Sequence, residues 1–433
     1  MANPEDTTLP AEPFPPSIMP APPPTPRVYS DAPDRLVFFF SGFDPKGATF
    51  YHRLFRTGIA QRNATHDDTL AVSGRHKIGR WASAWTALWR GAPSLSGDRP
   101  RTMRTRVHFM RWDDIVRRHW KRSASQLAQD YWYVYVVGIL TGVFTRVRRK
   151  TRAAFWLALF PLGVALASLI GGVVLVDGLL TGLDLLPALP AAVLGLLAGF
   201  VAWRGIVRWL DCEWLLRLYA FTRLQAIGAL PALETRQDEM AEHVVDTVEA
   251  RMHQAGAPPL REVLLVGYST GSTMAAAVAA RALKRLTALT DSRRSSGATS
   301  LAIVTLGHCI PVAADWGAAH RARAELKQLA ECESLTWHDY SAPADWAAFW
   351  RTPPWPAPAE LKGLQASPRF HAQLHAHQYA ALRRDRREMH LQYLRPPSHR
   401  VDAEAYDYFM LTCGPLTLAE RHARHRPRKD LRE

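Results

Sequence analysis

Two stretches of this chain carry no charged residue: Ala153 to Val176 and Leu185 to Trp203. As α-helices rising 1.5 Å per residue they would run about 36 Å and 29 Å. The hydrocarbon core of a bilayer is about 30 Å thick. Asp177 to Asp184 is all that joins them, so the two helices must run antiparallel. A helical hairpin satisfies its own backbone hydrogen bonds in lipid, and breaks such as Pro161, Pro187 and Pro190 are tolerated there. The competing home is the core of a large soluble domain. Charge placement favours the bilayer. Arg146, Arg148, Arg149, Lys150 and Arg152 precede the first run, Arg204 and Arg208 follow the second, and the connector holds two acids and no base. The positive-inside rule then puts both outer ends on the cytoplasmic side, with Trp156, Trp203, Trp209 and Trp214 near that interface. Trp112 to Arg122 and the aromatic run from Tyr131 to Tyr135 suit amphipathic helices in the interface, or a solvated basic face.

The second constraint is Gly267-Tyr268-Ser269-Thr270-Gly271, a G-x-S-x-G. At average composition a chain of this length meets that pattern by chance about 0.15 times. Its setting adds weight. The apolar run Val263 to Val266 precedes it and the Ala-rich stretch Thr273 to Leu283 follows. Strand, sharp turn, helix is the arrangement that lifts a serine hydroxyl above a sheet. The glycines are needed because a Cβ on either side of so tight a turn would meet the neighbouring strand and helix. The plain alternative is a Gly-rich βα turn.

Through these residues the chain resembles the α/β-hydrolases, the superfamily of lipases, esterases and thioesterases. The resemblance covers about residues 35–110 and 260–415. It implies an α/β fold, a mostly parallel sheet flanked by helices, here with a two-helix transmembrane insertion. Strands are expected at Leu36 to Phe40, Arg104 to Met110, Leu301 to Leu306, Ser334 to Asp339 and Glu388 to Leu394. Helices are expected at Leu210 to Leu224 and Met240 to Met252. A serine needs a base and an orienting carboxylate, which in this family follow in the order Ser, acid, His. The resemblance then casts Ser269 as nucleophile, Asp345 as acid in the loop beyond its strand, and His399 as base on the loop before Ala403. Asp339 is the rival acid; His390, expected inside a strand, and His308 are rival bases. Oxyanion donors would be the amides of Thr270 and of Phe43, in the loop Ser41 to Gly47, which lacks the H-G-G-G form of many lipases. Gly42, Tyr268 and His52 are placed at the substrate pocket.

The rest bounds the reading. Net charge is +15, and Lys supplies only eight of the 54 basic residues. No nucleic-acid module accompanies this charge, so a membrane surface is the expected partner. The Arg bias fits a GC-rich bacterial genome. Cys212, Cys309, Cys332 and Cys413 form no C-x-x-C and read as buried free thiols. No metal or cofactor is expected. Residues 1–27 hold ten prolines and no apolar core of a signal peptide, and read as a disordered tail. The expected layout is 28–112 and 231–416 as two parts of one hydrolase-like domain, 113–230 as the membrane-associated insertion with spans at about 153–176 and 185–203, and 417–433 as a basic tail. The expected function is a serine hydrolase acting on an ester or thioester, with a small-molecule or lipid substrate. It would sit in the bacterial inner membrane with both termini and the catalytic domain cytoplasmic. The alternatives are an acyltransferase, or a non-catalytic membrane protein that keeps the scaffold.

Overall fold

The computed structural model describes residues 32–92, 101–120, 122–210, 213–291, 299–402 and 404–425. The Pro-rich tail, Cys212 and the last residues of the basic tail lie outside them. Nine strands form one mixed sheet: β1 (Asp34–Phe40), β2 (Thr69–Val72), β3 (His76–Ile78), β4 (Ala82–Arg90), β5 (Thr102–Met110), β6 (Leu260–Tyr268), β7 (Ser300–Leu306), β8 (Leu335–Tyr340) and β9 (Lys362–Ala366). Their order in space is β2-β4-β5-β1-β6-β7-β8-β9, with β3 also on β4. Every pairing from β5 across to β9 is parallel. The β4–β5, β2–β4 and β3–β4 pairings are antiparallel. The sheet is thus mixed, and its antiparallel edge was not expected from the sequence. β4 reads Ala-Ser-Ala-Trp-Thr-Ala-Leu-Trp-Arg, poor in the β-branched residues that mark strands.

The parallel strands are covered on both faces, which is why β1, Asp-Arg-Leu-Val-Phe-Phe-Phe, is buried throughout. Alternation sends Leu36, Phe38 and Phe40 to one core and Val37 and Phe39 to the other. The main helices are α1 (Ala48–Asn63), α2 (Arg152–Gly182), α3 (Ala188–Leu210), α4 (Glu213–Ala226), α5 (Pro231–His253), α6 (Gly271–Asp291) and α7 (Arg386–Leu391). Val37 and Phe39 share a core with Tyr51 and Phe55 of α1; Phe38 and Phe40 share theirs with Val244 of α5 and Met274 of α6. The segment expected as a strand at Glu388 to Leu394 is instead α7 followed by a 3-10 turn, Gln392–Leu394. Met389 and Tyr393 share one core, with Leu391 partly buried against it. Part of the expected tail is also ordered: Leu418–Arg424 is a helix with a Thr417–Glu420 capping box.

The apolar runs form α2 and α3, both long and apolar enough to cross a membrane. Each extends beyond its expected bounds: α2 continues past Asp177 to Gly182, and α3 continues to Leu210. A Cβ on Gly172 would lie 2.5 Å from Gly199 Cα, and one on Gly199 would lie 2.6 Å from Ser168 O. Glycine is what lets the two backbones touch. Only the foot of α2 is buried, at Ala154, Leu157, Ala158, Pro161 and Ala165. Beyond it Val174 is 64 % and Leu175 74 % exposed, and Leu189 of α3 is 79 % exposed. That exposure argues against a hairpin sunk in a soluble core, since contiguous apolar surface of this kind marks contact with lipid or protein. A π-helix, Trp132–Val137, braces the foot. The Tyr131 and Tyr135 hydroxyls donate to the carbonyls of Pro161 and Ala158 at 3.3 and 3.1 Å.

Candidate active site

β6 ends in Gly267-Tyr268 and α6 begins at Gly271, leaving Ser269 and Thr270 to reverse the chain. Ser269 has φ of +57°, a left-handed conformation that costs a non-glycine residue about 1–3 kcal/mol. The turn is held by bonds from Ser269 N to Leu306 O at 2.9 Å and from Ser272 N to Ser269 O at 3.0 Å. Both flanking glycines are sterically required. A Cβ on Gly267 would lie 2.5 Å from Ser272 Cα, and one on Gly271 would lie 2.1 Å from Phe40 O.

The other groups come from the carboxyl ends of neighbouring strands, where open α/β sheets place their sites. The loop after β1 passes directly over the serine: a Cβ on Gly42 would lie 3.0 Å from Ser269 Cβ and 3.3 Å from its Oγ. Trp112 Nε1 anchors that loop by donating to Ser41 O at 3.0 Å. Among the described residues, neither the Phe43 nor the Thr270 amide donates a hydrogen bond. Both N–H groups are thus without an acceptor, one in the residue after Ser269 and one in the loop that crosses it. Asp44 is the loop's carboxylate; burial raises its pKa, and it accepts from Lys46 N at 2.8 Å and Tyr51 Oη at 3.3 Å.

The loop after β8 carries Asp345, whose Oδ1 accepts from Ala347 N at 3.0 Å. Its Oδ2 lies 2.7 Å from Nδ1 of His390 on α7. The Asp345 side chain is 2 % exposed and that of His390 16 %. With Nδ1–H donating to the carboxylate, Nε2 keeps its lone pair, and Nε2 has no hydrogen-bond partner. The Tyr268 ring packs tilted against the imidazole, centroids 5.2 Å apart, and its hydroxyl donates to His390 O at 3.2 Å. Gly307, φ +55° at the end of β7, makes room: a Cβ there would lie 2.6 Å from the Tyr393 ring and 3.2 Å from His390 Cε1. Tyr393 in turn accepts from Ala342 N at 2.7 Å, fixing the loop that leads to Asp345.

Ser269, Asp345, His390, Gly42, Phe43 and Tyr268 all line one cavity of about 470 Å³. The Ser269–His390 hydrogen bond is not made in this structure; Ser269 Oγ lies instead 3.8 Å from Cys309 Sγ. Cys309 is a free buried thiol, and burial pushes its pKa up to about 12. It therefore stays a protonated thiol at neutral pH.

Several expected residues are not brought here. His399 is half-buried on its loop, with Nε2 3.2 Å from Ala372 O and its ring beside His375. It was expected to follow the last strand, but that strand is β9, and the imidazole that meets Asp345 comes from α7. His52 packs on Trp85 with Nε2 3.0 Å from Ser73 O, toward the antiparallel edge rather than in the cavity. The rival acid Asp339 is inside β8 and fully buried, accepting from Thr305, Ser341 and Gln365. Burial raises its pKa. The rival base His308 lies 3.7 Å from Asp339, with Nε2 2.9 Å from Thr352 O, so these two form a separate buried cluster. The helix bearing His390 did have a signal in the sequence. Asp385-Arg-Arg-Glu388 is an N-cap pattern, and Asp385 accepts from Arg387 N at 2.9 Å and Glu388 N at 3.0 Å. No family model, curated protein or solved structure matches this chain.

Proposed function

We propose that the protein is a membrane-anchored serine hydrolase of α/β-hydrolase type that cleaves an ester or thioester. One observation carries the reading: a serine held at positive φ between two obligatory glycines shares a cavity with an imidazole already oriented by a buried carboxylate. In the reaction Ser269 Oγ turns from Cys309 toward His390 and attacks the acyl carbonyl as Nε2 takes its proton. Asp345 holds the tautomer and stabilises the imidazolium. The Thr270 and Phe43 amides receive the developing oxyanion. His390 then protonates the leaving group, and water, activated the same way, releases the acid.

In this reading α2 and α3 span the bilayer. The basic residues around Arg146 to Arg152 and Arg204 to Arg208 hold the body of the protein at the cytoplasmic face. The test is labelling of the full chain in nanodiscs by a fluorophosphonate. Wild type is expected to react at Ser269 and Ser269→Ala is not. A folded wild type that stays unlabelled and cleaves no activated ester would leave the non-catalytic scaffold as the better reading.

A further inference from the structure

The cavity that reaches Ser269 has walls of two kinds. Its charged groups, Asp44, Lys46, Asp345, Arg386, Arg387 and Glu388, come from the loops at the sheet end and from α7. Much of its other wall is built by residues 113–230, which contribute uncharged, mainly apolar side chains, and it is completed by Val312, Trp316 and Phe349 from the segments after β7 and β8. Val143 and Val147 precede the hairpin, Leu157 and Ala158 lie at the foot of α2, and Leu215 and Leu218 lie on α4. Ala158 is 3 % exposed and Val147 5 %, so this part of the wall is buried. The same helix that lines this wall continues, beyond Ala165, into the exposed apolar part of the hairpin. A polar reaction end and a mainly apolar chamber thus meet at one hydroxyl.

We infer that this chamber is an acyl-chain site: the hydrocarbon tail of the substrate lies between the foot of α2 and α4, and the insertion, with the segments after β7 and β8, sets which chain is accepted. The inference deepens the hydrolase reading and rests on it for the identity of the occupant. Its physical basis is burial of chain methylenes at about 0.8 kcal/mol each. Binding energy from this remote part of the substrate is then available to position the carbonyl over Ser269. The bilayer supplies the ligand class, because a chain leaving the lipid along α2 need not cross water.

Two experiments on the full chain in nanodiscs test it. The first compares kcat/KM for p-nitrophenyl butyrate and palmitate in wild type and Ala158→Trp. Wild type should favour palmitate, and the variant should lower the palmitate-to-butyrate ratio by at least about tenfold. A wild type that favours butyrate, or a ratio that moves less than about twofold, overturns the inference. The second does not depend on activity or on that variant folding. A diazirine-bearing palmitate is photolysed with Ser269→Ala protein and the adducts are mapped. Adducts at Leu215, Leu218 or Val147, which face away from bulk lipid, support the chamber; adducts confined to Ile170 to Val201 overturn it. Failure of the hydrolase reading looks different: the chamber is labelled but neither ester is cleaved.

Discussion

Replacing His390 by Ala is the sharpest test of the site. Its imidazole joins the buried Asp345 carboxylate through Nδ1 at 2.7 Å and leaves Nε2 without a partner, in the cavity that holds Ser269. General-base catalysis contributes about 10²–10⁴ in rate, or about 2.7–5.4 kcal/mol at 1.36 kcal/mol per decade. His390→Ala should therefore lower kcat on p-nitrophenyl butyrate by about that factor. The variant also strips one oxygen of Asp345 of its donor, a loss of about 1–3 kcal/mol in stability, while Oδ1 keeps the Ala347 amide at 3.0 Å. Asp345→Asn should lose a comparable rate, up to about 10⁴, because the amide no longer enforces the Nδ1–H tautomer. His399→Ala, remote from the cavity, should stay within about twofold. Esterase kinetics in nanodiscs, with thermal unfolding as the control for fold, decide the matter. If His399→Ala falls as far as His390→Ala, or if His390→Ala keeps activity within about threefold of wild type, the assignment is wrong.

Two further outcomes follow from the fold. Gly271→Ala puts a Cβ 2.1 Å from Phe40 O and 2.5 Å from Ser41 O, so the backbone must move. A stability loss of about 2–3 kcal/mol is expected by thermal unfolding, against little change for Gly74→Ala, which has open space; equal stability of the two variants would contradict the elbow's steric role. Burial and the neighbouring His243 lower the pKa of His108 to about 3, against about 6.5 unfolded. The folded state thus refuses a proton that the unfolded state takes, so stability is full above about pH 6.5 and is lost as pH falls toward 3. At pH 5.5 the loss from this group is about 1.4 kcal/mol. His108→Gln should remove that part of the difference in unfolding free energy between pH 7.5 and 5.5, and an unchanged difference would show that His108 does not carry it.

What the sequence determined by itself was whatever local geometry dictates. The glycines two before and two after Ser269 announce a tight strand-to-helix turn; a Cβ on Gly267 would strike the adjoining helix start, whereas the clash at Gly271, with Phe40 O and Ser41 O, is one that only the fold reveals. Uncharged runs about as long as the hydrocarbon core is thick announce α2 and α3, because a single segment satisfies its own backbone there only as a helix. The sequence narrowed the carboxylate to Asp345 or Asp339 and favoured Asp345 for its place just beyond a buried strand. The tertiary structure alone decided which imidazole reaches that carboxylate. His390 and His399 are nine residues apart on the same segment, and the alternation of Met389, Leu391 and Tyr393 read as a strand. The N-cap at Asp385 starts a helix instead, which turns His390 onto Asp345 and leaves His399 on the surface loop. The chamber beside Ser269 was equally invisible in the sequence, since its walls come from segments far apart in the chain, Val143 and Leu218 among them, that meet only when the hairpin foot docks. Strain and hydrophobicity are properties of neighbours in the chain, whereas a base finding its acid is a property of packing across it.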